Sequence, residues 1–271
     1  TLGGRIDGSC RRDMQFWDLN VVTHSPREAK EACALAEKLG YSGIVLSREV
    51  EGKTLGDLPP KPSVQVGKVE PRPLAVASPG RSIPSKFTVK SRLTVIVNSL
   101  QDVSKLMNAV GRGRSEYDII AARPTGEASF EKCCGTEGLD LISIDLSQRL
   151  GYRLKLPPIQ RAQKLGLQFE ICYAPAIRDK TLRRNTIANA AQLIRLLRGR
   201  DVVLSSGADT PFELRGPHDA MNLAILFGLT TQKAAKAIST ASRRVLDRGQ
   251  KNSRHRGVIE ITRKDLKEKN V

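Results

Sequence analysis

The sequence has no apolar run long enough to cross a membrane and no pair of cysteines spaced as CxxC. A spanning helix needs about 20 apolar residues in a row, and no such stretch and no lipidation motif occurs. The five cysteines are odd in number, which favours buried thiols in a reducing compartment. They are Cys10, Cys33, Cys133, Cys134 and Cys172. We therefore expect no membrane partner and no secretion.

Histidine is also scarce, with three residues in the chain. A hydrolytic metal cluster needs several His, Asp and Glu side chains that converge, whereas His24, His218 and His255 lie far apart in sequence. No GxSxG motif marks a nucleophile. One catalytic alternative stays open, a metal-dependent phosphoesterase acting on a polyanionic substrate. It would use four polar residues near the predicted strands: Asp18, His24, Asp145 and Glu170.

Positive charge, in contrast, is in large excess. Lys and Arg number 45 against 28 Asp and Glu, for a net charge of +17 and a sequence pI of about 10.0. This balance is typical of proteins that bind a polyanion, and nucleic acid is the first candidate. Aromatic residues make up only 4 % of the chain, so phosphate contacts and shape should dominate binding rather than base stacking.

Seven short apolar runs are spaced along the chain in the manner of strands buried on both faces. They span residues 16–22, 41–46, 92–97, 117–122, 139–146, 167–173 and 201–204. Helical patterns separate most of them; the first begins with a capping box, Ser25-Pro26-Arg27-Glu28, and ends at Gly40. The second clear helix ends at Gly199.

This alternation predicts a single α/β domain with parallel strands and right-handed crossovers. For a chain of this length we favour a closed TIM-like (β/α) barrel over a doubly wound open sheet. Only residues 257–262 remain as an eighth strand candidate, so a distorted barrel is expected. The predicted barrel covers residues 16–249 and includes a Pro-rich loop at 48–91. Residues 1–15 are polar and Gly-rich, and residues 250–271 form a basic C-terminal extension.

Several segments resemble one family, the 30-kilodalton-class protein subunit of ribonuclease P and RNase MRP. The strongest are Leu167-Gln-Phe-Glu-Ile-Cys-Tyr-Ala-Pro-Ala-Ile-Arg-Asp179 with Arg183-Arg184-Asn-Thr-Ile187, Val203-Leu-Ser-Ser-Gly-Ala208, Pro211-Phe-Glu-Leu-Arg-Gly-Pro217 and Asn222-Leu-Ala-Ile-Leu-Phe-Gly-Leu229. Weaker pieces are Asp18-Leu-Asn20, Leu39-Gly-Tyr41, Ser91-Arg-Leu-Thr-Val-Ile-Val97 and Leu139-Asp-Leu-Ile-Ser143. Their order and spacing hold from about residue 16 to residue 249.

The resemblance implies a barrel related to the polymerase and histidinol phosphatase type of metal-dependent phosphoesterase, without its metal site. Where those enzymes carry His-x-His after the first acidic residue, this chain has Asp18-Leu19-Asn20-Val21-Val22. The resemblance also implies a non-catalytic subunit that stabilises the catalytic RNA. That RNA removes 5′ leaders from precursor tRNA and holds the Mg²⁺. A small α/β partner subunit, a second copy of the chain, a role in rRNA processing through RNase MRP, and a place in the nucleus and nucleolus are also implied.

The resemblance also assigns residues. Arg178, Arg183, Arg184 and Arg215 are the basic positions that match the family's motifs. They are expected either to contact RNA or to brace the barrel through carboxylates such as Asp179 and Glu213. The basic tail from Lys251 to Arg256 is the favoured direct contact. The full predicted RNA-binding set is Arg178, Lys180, Arg183, Arg184, Arg215, Arg243, Arg244, Lys251, Arg254 and Arg256.

Overall fold

Seven parallel strands form a barrel in a computed structural model that describes residues 14–55, 59–62, 87–113 and 116–254. The strands are β1 (Trp17–Val22), β2 (Gly43–Glu51), β3 (Thr88–Val97), β4 (Ile119–Pro124), β5 (Leu141–Ser143), β6 (Gln168–Cys172) and β7 (Val202–Ser205). Each strand pairs with the next one along the chain. The ring closes where Val22 N donates to Ala208 O at 2.8 Å and Gly207 N donates to Asn20 O at 2.9 Å.

This arrangement confirms the predicted TIM-like barrel and its distortion, because β1 and β7 meet through a single parallel bridge between Val21 and Ala208. Each of the seven apolar runs overlaps one strand. The eighth candidate, residues 257–262, lies outside the described residues.

Helices surround the strands within the described ranges. They are α1 (Pro26–Leu39), α2 (Leu100–Gly113), α3 (Glu127–Cys133), α4 (Leu156–Lys164), α5 (Ala174–Arg178), α6 (Lys180–Leu196), α7 (Pro217–Leu226), α8 (Thr231–Ile238) and α9 (Thr240–Arg254). The start of α1 follows the predicted capping box: Ser25 Oγ accepts from Glu28 N at 3.2 Å, although the Glu28 carboxylate accepts from His24 N rather than from Ser25 N. Gly40 ends α1 with φ of 93°, a value that favours glycine. No helix among the described residues has the length and apolar character to cross a membrane.

Two apolar layers hold the barrel. The larger one lies between the strands and the surrounding helices. The smaller one fills the lower part of the barrel, where α9 adds Ala241 and Val245 to strand residues. Those strand residues are Trp17, Leu19, Val45, Ile119, Ala121, Leu141 and Val203.

The last helix, α9, closes the amino end of this barrel. Asn252 Nδ2 donates to Asp140 Oδ1 at 2.8 Å, and Asp140 directly precedes β5. A Cβ atom at Gly249 would lie 2.1 Å from the carbonyl oxygen of Asp118, which directly precedes β4. Only glycine therefore allows α9 to approach the strands this closely.

Two predicted boundaries were wrong. The loop expected at 48–91 is shorter, because β2 continues to Glu51 and β3 begins at Thr88, with Arg48 paired to Leu93. The added ladder pairs between β2 and β3 outweigh the polar composition of these half-buried and exposed strand ends. The extension expected from residue 250 begins later, because α9 continues to Arg254.

The described thiols fit the expectation of buried cysteines. Cys33, Cys133 and Cys134 are buried and Cys172 is half-buried, and all four are free. Burial raises the pKa of the Cys33 thiol to about 11 and that of Cys133 to about 12, so both are uncharged at neutral pH. Cys10 lies outside the described residues.

Candidate nucleic-acid interface

A buried ion pair spans the centre of the barrel. Arg92 on β3 and Glu170 on β6 have fully buried side chains, with Nη1 to Oε1 at 2.5 Å and Nη2 to Oε2 at 2.7 Å. The remaining Arg92 contacts are Nε to Thr94 Oγ1 at 2.9 Å and Nη1 to Leu19 O at 3.0 Å. Burial raises the pKa of Glu170, but the charge and hydrogen bonds of Arg92 outweigh burial, so this pKa lies below its ordinary value. The pair is ionised and saturated.

Asp18 and Asn20 of β1 extend this network. Asn20 Nδ2 donates to Glu170 Oε2 at 3.3 Å. Asp18 Oδ1 accepts from Asn20 N at 3.1 Å and from Ser206 N at 3.0 Å, while its Oδ2 has no hydrogen-bond partner within the described residues. Burial raises the pKa of Asp18 to about 6, against the backbone hydrogen bond from Ser206, which lowers it. Asp18 is therefore incompletely satisfied, and so is Asn20, whose buried Oδ1 also has no hydrogen-bond partner within the described residues.

These residues do not fit the metal ion that a phosphoesterase site would need. Both Glu170 oxygens are occupied by the guanidinium of Arg92, which supplies the neighbouring positive charge. The other members of the hypothetical site lie elsewhere: His24 is exposed beside α1, and Asp145 is exposed and accepts from Ser147 N at 2.9 Å. No group of three His, Cys, Asp or Glu side chains within the described ranges could hold a metal ion.

Above the ion pair, a cavity of about 220 Å³ opens at the carboxyl ends of the strands. Its lining includes Arg123 and Arg178 together with Glu49, Asp145 and Asp209. Arg123 Nη2 lies 2.6 Å from Glu49 Oε1, and Arg178 Nη2 lies 2.8 Å from Asp209 Oδ2. Both arginines of the cavity are thus neutralised by carboxylates, so the cavity offers no strong anion site.

Arg178 braces the loop after β7. Its Nε and Nη2 contact the two carboxylate oxygens of Glu213 at 2.5 and 2.7 Å, and Nη2 also donates to Gly207 O at 3.1 Å. The bracing role predicted through Glu213 is confirmed. Asp179 has a different role: its Oδ1 caps α6 by accepting from Thr181 N at 2.7 Å and Leu182 N at 3.1 Å.

The first turns of α6 carry exposed cations. Lys180, Arg183 and Arg184 are all exposed, and Arg183 Nε donates to Ala176 O at 2.7 Å. No ion pair engages these three side chains within the part of the chain that the structure describes. Arg215 lies on the loop that Arg178 braces; it is half-buried, and its Nη1 donates to Phe212 O at 2.7 Å. We call Lys180, Arg183, Arg184 and Arg215 the α6 basic surface.

The remaining predicted residues lie at the opposite end of the barrel, on α9. Arg243, Arg244 and Lys251 are exposed, and Arg243 Nε pairs with Asp247 Oδ1 at 3.1 Å. Arg254 is the last residue of α9, and its side chain and all of Arg256 lie outside the described residues. The predicted set therefore divides into two surfaces rather than one.

Comparison with known proteins identifies the family. The sequence profile described as RNase P subunit p30 matches residues 15–254. The chain belongs to this family of ribonuclease P protein subunits. It is 36 % identical over 250 residues to ribonuclease P protein subunit p30 of Mus musculus, covering 92 % of this chain and 91 % of the mouse protein. It is 32 % identical over 235 residues to probable ribonuclease P protein subunit 3 of Schizosaccharomyces pombe, covering 85 % and 92 %.

The fold of this p30-family subunit is also found in a solved particle. A chain in a cryo-EM structure of archaeal ribonuclease P with mature tRNA matches with a TM-score of 0.64 and 16 % identity, covering 90 % of this chain and 98 % of that one. At this identity the match concerns the fold alone. Both the predicted family and the predicted barrel are confirmed.

Sequence reasoning missed the two features that organise this p30-family chain. Arg92 was not singled out, although it is the one charged residue in the apolar run 92–97, as Glu170 is in the run 167–173. Gly249 was not recognised as the point where α9 meets the strands. Opposite single charges inside two buried strands are the signal that could have revealed the pair.

Proposed function

We propose that this subunit acts in ribonuclease P without catalytic groups of its own, and that it binds and stabilises the catalytic RNA by contacting phosphates. The observation that carries this proposal is the division of charge. Arg92 and Glu170 in the barrel interior are paired with one another, whereas Lys180, Arg183 and Arg184 face solvent without ion pairs within the described residues. Exposed, unpaired cations on a chain of net charge +17 are the groups that an RNA backbone can use.

The start of α6 adds a second attraction for phosphate. A helix of 17 residues presents partial positive charge at its first turn, although Asp179 already occupies two of its free N–H groups. The side chains of the α6 basic surface are therefore expected to supply most of the contact. The cations of α9, Arg243, Arg244, Lys251 and Arg254, with Arg256 beyond them, form the second proposed contact.

The proposal extends to the particle. The Mg²⁺ ions that cleavage of precursor tRNA requires are assigned to the RNA, and no cofactor is assigned to the protein. We further propose a small α/β partner subunit, a second copy of this chain, membership of RNase MRP, and a nuclear and nucleolar location. These follow from the family resemblance rather than from contacts of the described residues.

A tagged chain purified with its native complex tests the proposal. Sequencing of the co-purifying RNA should reveal a ribonuclease P or RNase MRP RNA, and nuclease treatment should abolish cleavage of precursor tRNA. Reconstitution of that RNA with its proteins, with and without this chain, should show improved cleavage at low Mg²⁺ when the chain is present. Absence of any bound RNA, together with metal-dependent phosphoesterase activity lost in Asp18→Ala, would overturn the proposal.

A further inference from the structure

One aromatic side chain differs from all the others in its exposure. The chain has six Phe, four Tyr and one Trp, and all of them lie in the described residues. Phe212 is 88 % exposed, whereas every other aromatic side chain is buried or half-buried. A phenyl ring left in water contributes none of the burial free energy that the other aromatic side chains supply to the fold. A surface phenylalanine at this level of exposure is therefore available to a partner.

Phe212 is also held firmly in place. It lies in a short 3-10 turn, Pro211–Glu213, whose Pro211 restricts the backbone. Its carbonyl accepts from Arg215 Nη1 at 2.7 Å. The carboxylate of the next residue, Glu213, accepts from Arg178 Nε and Nη2. A turn whose backbone is already fixed loses little further conformational entropy when a partner covers it. The turn therefore presents the ring ready for contact.

The groups around the ring indicate the chemistry of that partner. The Phe212 carbonyl accepts from Arg215 of the α6 basic surface. Its neighbour Glu213 pairs with Arg178, which lies two residues before α6 begins. An exposed aromatic ring beside several cations is the combination that binds unpaired nucleotides, where the ring stacks on a base and the cations contact phosphates. The next residue, Glu213, and Asp209, whose N donates to Glu213 Oε2, are both paired with Arg178, which limits their repulsion of a phosphate.

We propose that Phe212 stacks on an unpaired RNA base whose flanking phosphates bind the α6 basic surface. This inference rests on the proposed function and adds a contact that the low aromatic content of the sequence did not suggest. The surface takes a strand with at least one accessible base, and a fully paired duplex cannot use the ring because its bases are stacked on one another.

The test measures binding of the full chain to two RNAs at fixed salt, an oligoadenylate and a blunt duplex of the same strand length. Phe212→Ala should weaken binding of the oligoadenylate about tenfold to a hundredfold and leave duplex binding unchanged. Phe212→Leu should weaken binding of the oligoadenylate nearly as much, because an isobutyl group cannot stack on a base. Phe212→Trp should retain binding, and the fluorescence of the new indole should be quenched by oligoadenylate, since the native Trp17 is only 5 % exposed.

Leu226→Ala is the matched control, because Leu226 is 60 % exposed on α7 and lies outside the α6 basic surface. It should not alter binding of either RNA. Full retention of oligoadenylate binding by Phe212→Ala would overturn the stacking contact while leaving the proposed function intact. Rescue by Phe212→Leu, with loss of assembly into the particle in Phe212→Ala, would assign the ring to a protein pocket instead. Failure of the wild-type chain to bind any RNA would overturn both proposals.

Discussion

The ion pair inside the barrel and the basic side chains on its surface differ in burial and in pairing. Arg92 and Glu170 are fully buried and bind each other through both carboxylate oxygens. On the surface, the Arg243 side chain is 55 % exposed even though it has a carboxylate partner, and Lys180 and Arg184 are exposed with no ion pair within the described residues. The buried charges are therefore used within the fold, whereas the exposed basic side chains remain available to a partner.

This difference teaches how a TIM-like barrel can belong to a ribonuclease P subunit without a catalytic site at its usual place. The cavity that a TIM-like barrel places at the carboxyl ends of its strands is retained, at about 220 Å³. Its arginines are neutralised by Glu49, Asp209 and Glu213, and the carboxylate below it is saturated by Arg92. Removing one partner of the interior ion pair should therefore cost stability, whereas removing a surface charge should cost RNA affinity.

The largest expected effect follows from breaking the interior pair. Arg92→Met leaves Glu170 buried without its counter-charge and should lower the free energy of unfolding by about 3 to 5 kcal/mol. The double variant Arg92→Met, Glu170→Met removes both charges and should be clearly more stable than the single variant. Urea unfolding of the full chain measures both. A single variant as stable as the wild type would contradict the assigned role.

Disrupting the contact of α9 with the strands should have the next largest effect on stability. Gly249→Ala places a methyl group 2.1 Å from Asp118 O and should cost about 1 to 3 kcal/mol, because backbone must move. Gly151→Ala is the matched control, since nothing lies within 4 Å of a Cβ atom there, and its effect should stay within about 0.5 kcal/mol. Equal unfolding midpoints for the two variants would show that α9 does not seal the barrel in this way.

A smaller effect concerns the pH dependence of stability. The pKa of Asp18 is about 6 in the folded chain against an ordinary value of 3.8, so the folded state binds this proton more tightly than the unfolded chain. Its contribution to stability is complete below about pH 4 and is lost as the pH rises through about 6. Between pH 5 and pH 8 the loss should be about 1 kcal/mol. Asp18→Asn keeps the Oδ1 acceptor and should remove this loss; the same pH profile in both proteins would exclude the assignment.

The sequence allowed the strands to be predicted because parallel strands buried on both faces leave continuous apolar runs. The helix caps were equally local: Ser25 and Gly40 act within a few residues of their positions. Arg92 and Glu170, in contrast, are 78 residues apart, and Asp18 and Ser206 are 188 apart. Such pairings depend on the closure of the barrel and its register, which no local pattern specifies.

The two basic surfaces were predicted only in part, because the pairing of each basic residue also depends on the closed fold. Basic residues are visible in the sequence, but whether each is paired is not. Arg178 proved to be engaged by Glu213 and Asp209, whereas Lys180, two residues later, is exposed without an ion pair in the described region. The exposure of Phe212 was hidden because an isolated phenylalanine in a sequence ordinarily indicates core.

The salt dependence of RNA binding tests the division between interior and surface charge most directly. The logarithm of the dissociation constant for the co-purified RNA is measured against the logarithm of salt concentration. Replacing Lys180, Arg183 and Arg184 by Ala should reduce the slope by about 2, at about 0.7 for each lost phosphate contact, without altering stability by more than about 0.5 kcal/mol. The same loss of charge at the far end of α6, in Arg195, Arg198 and Arg200, should leave the slope nearly unchanged. Equal slopes for both triple variants would contradict the account.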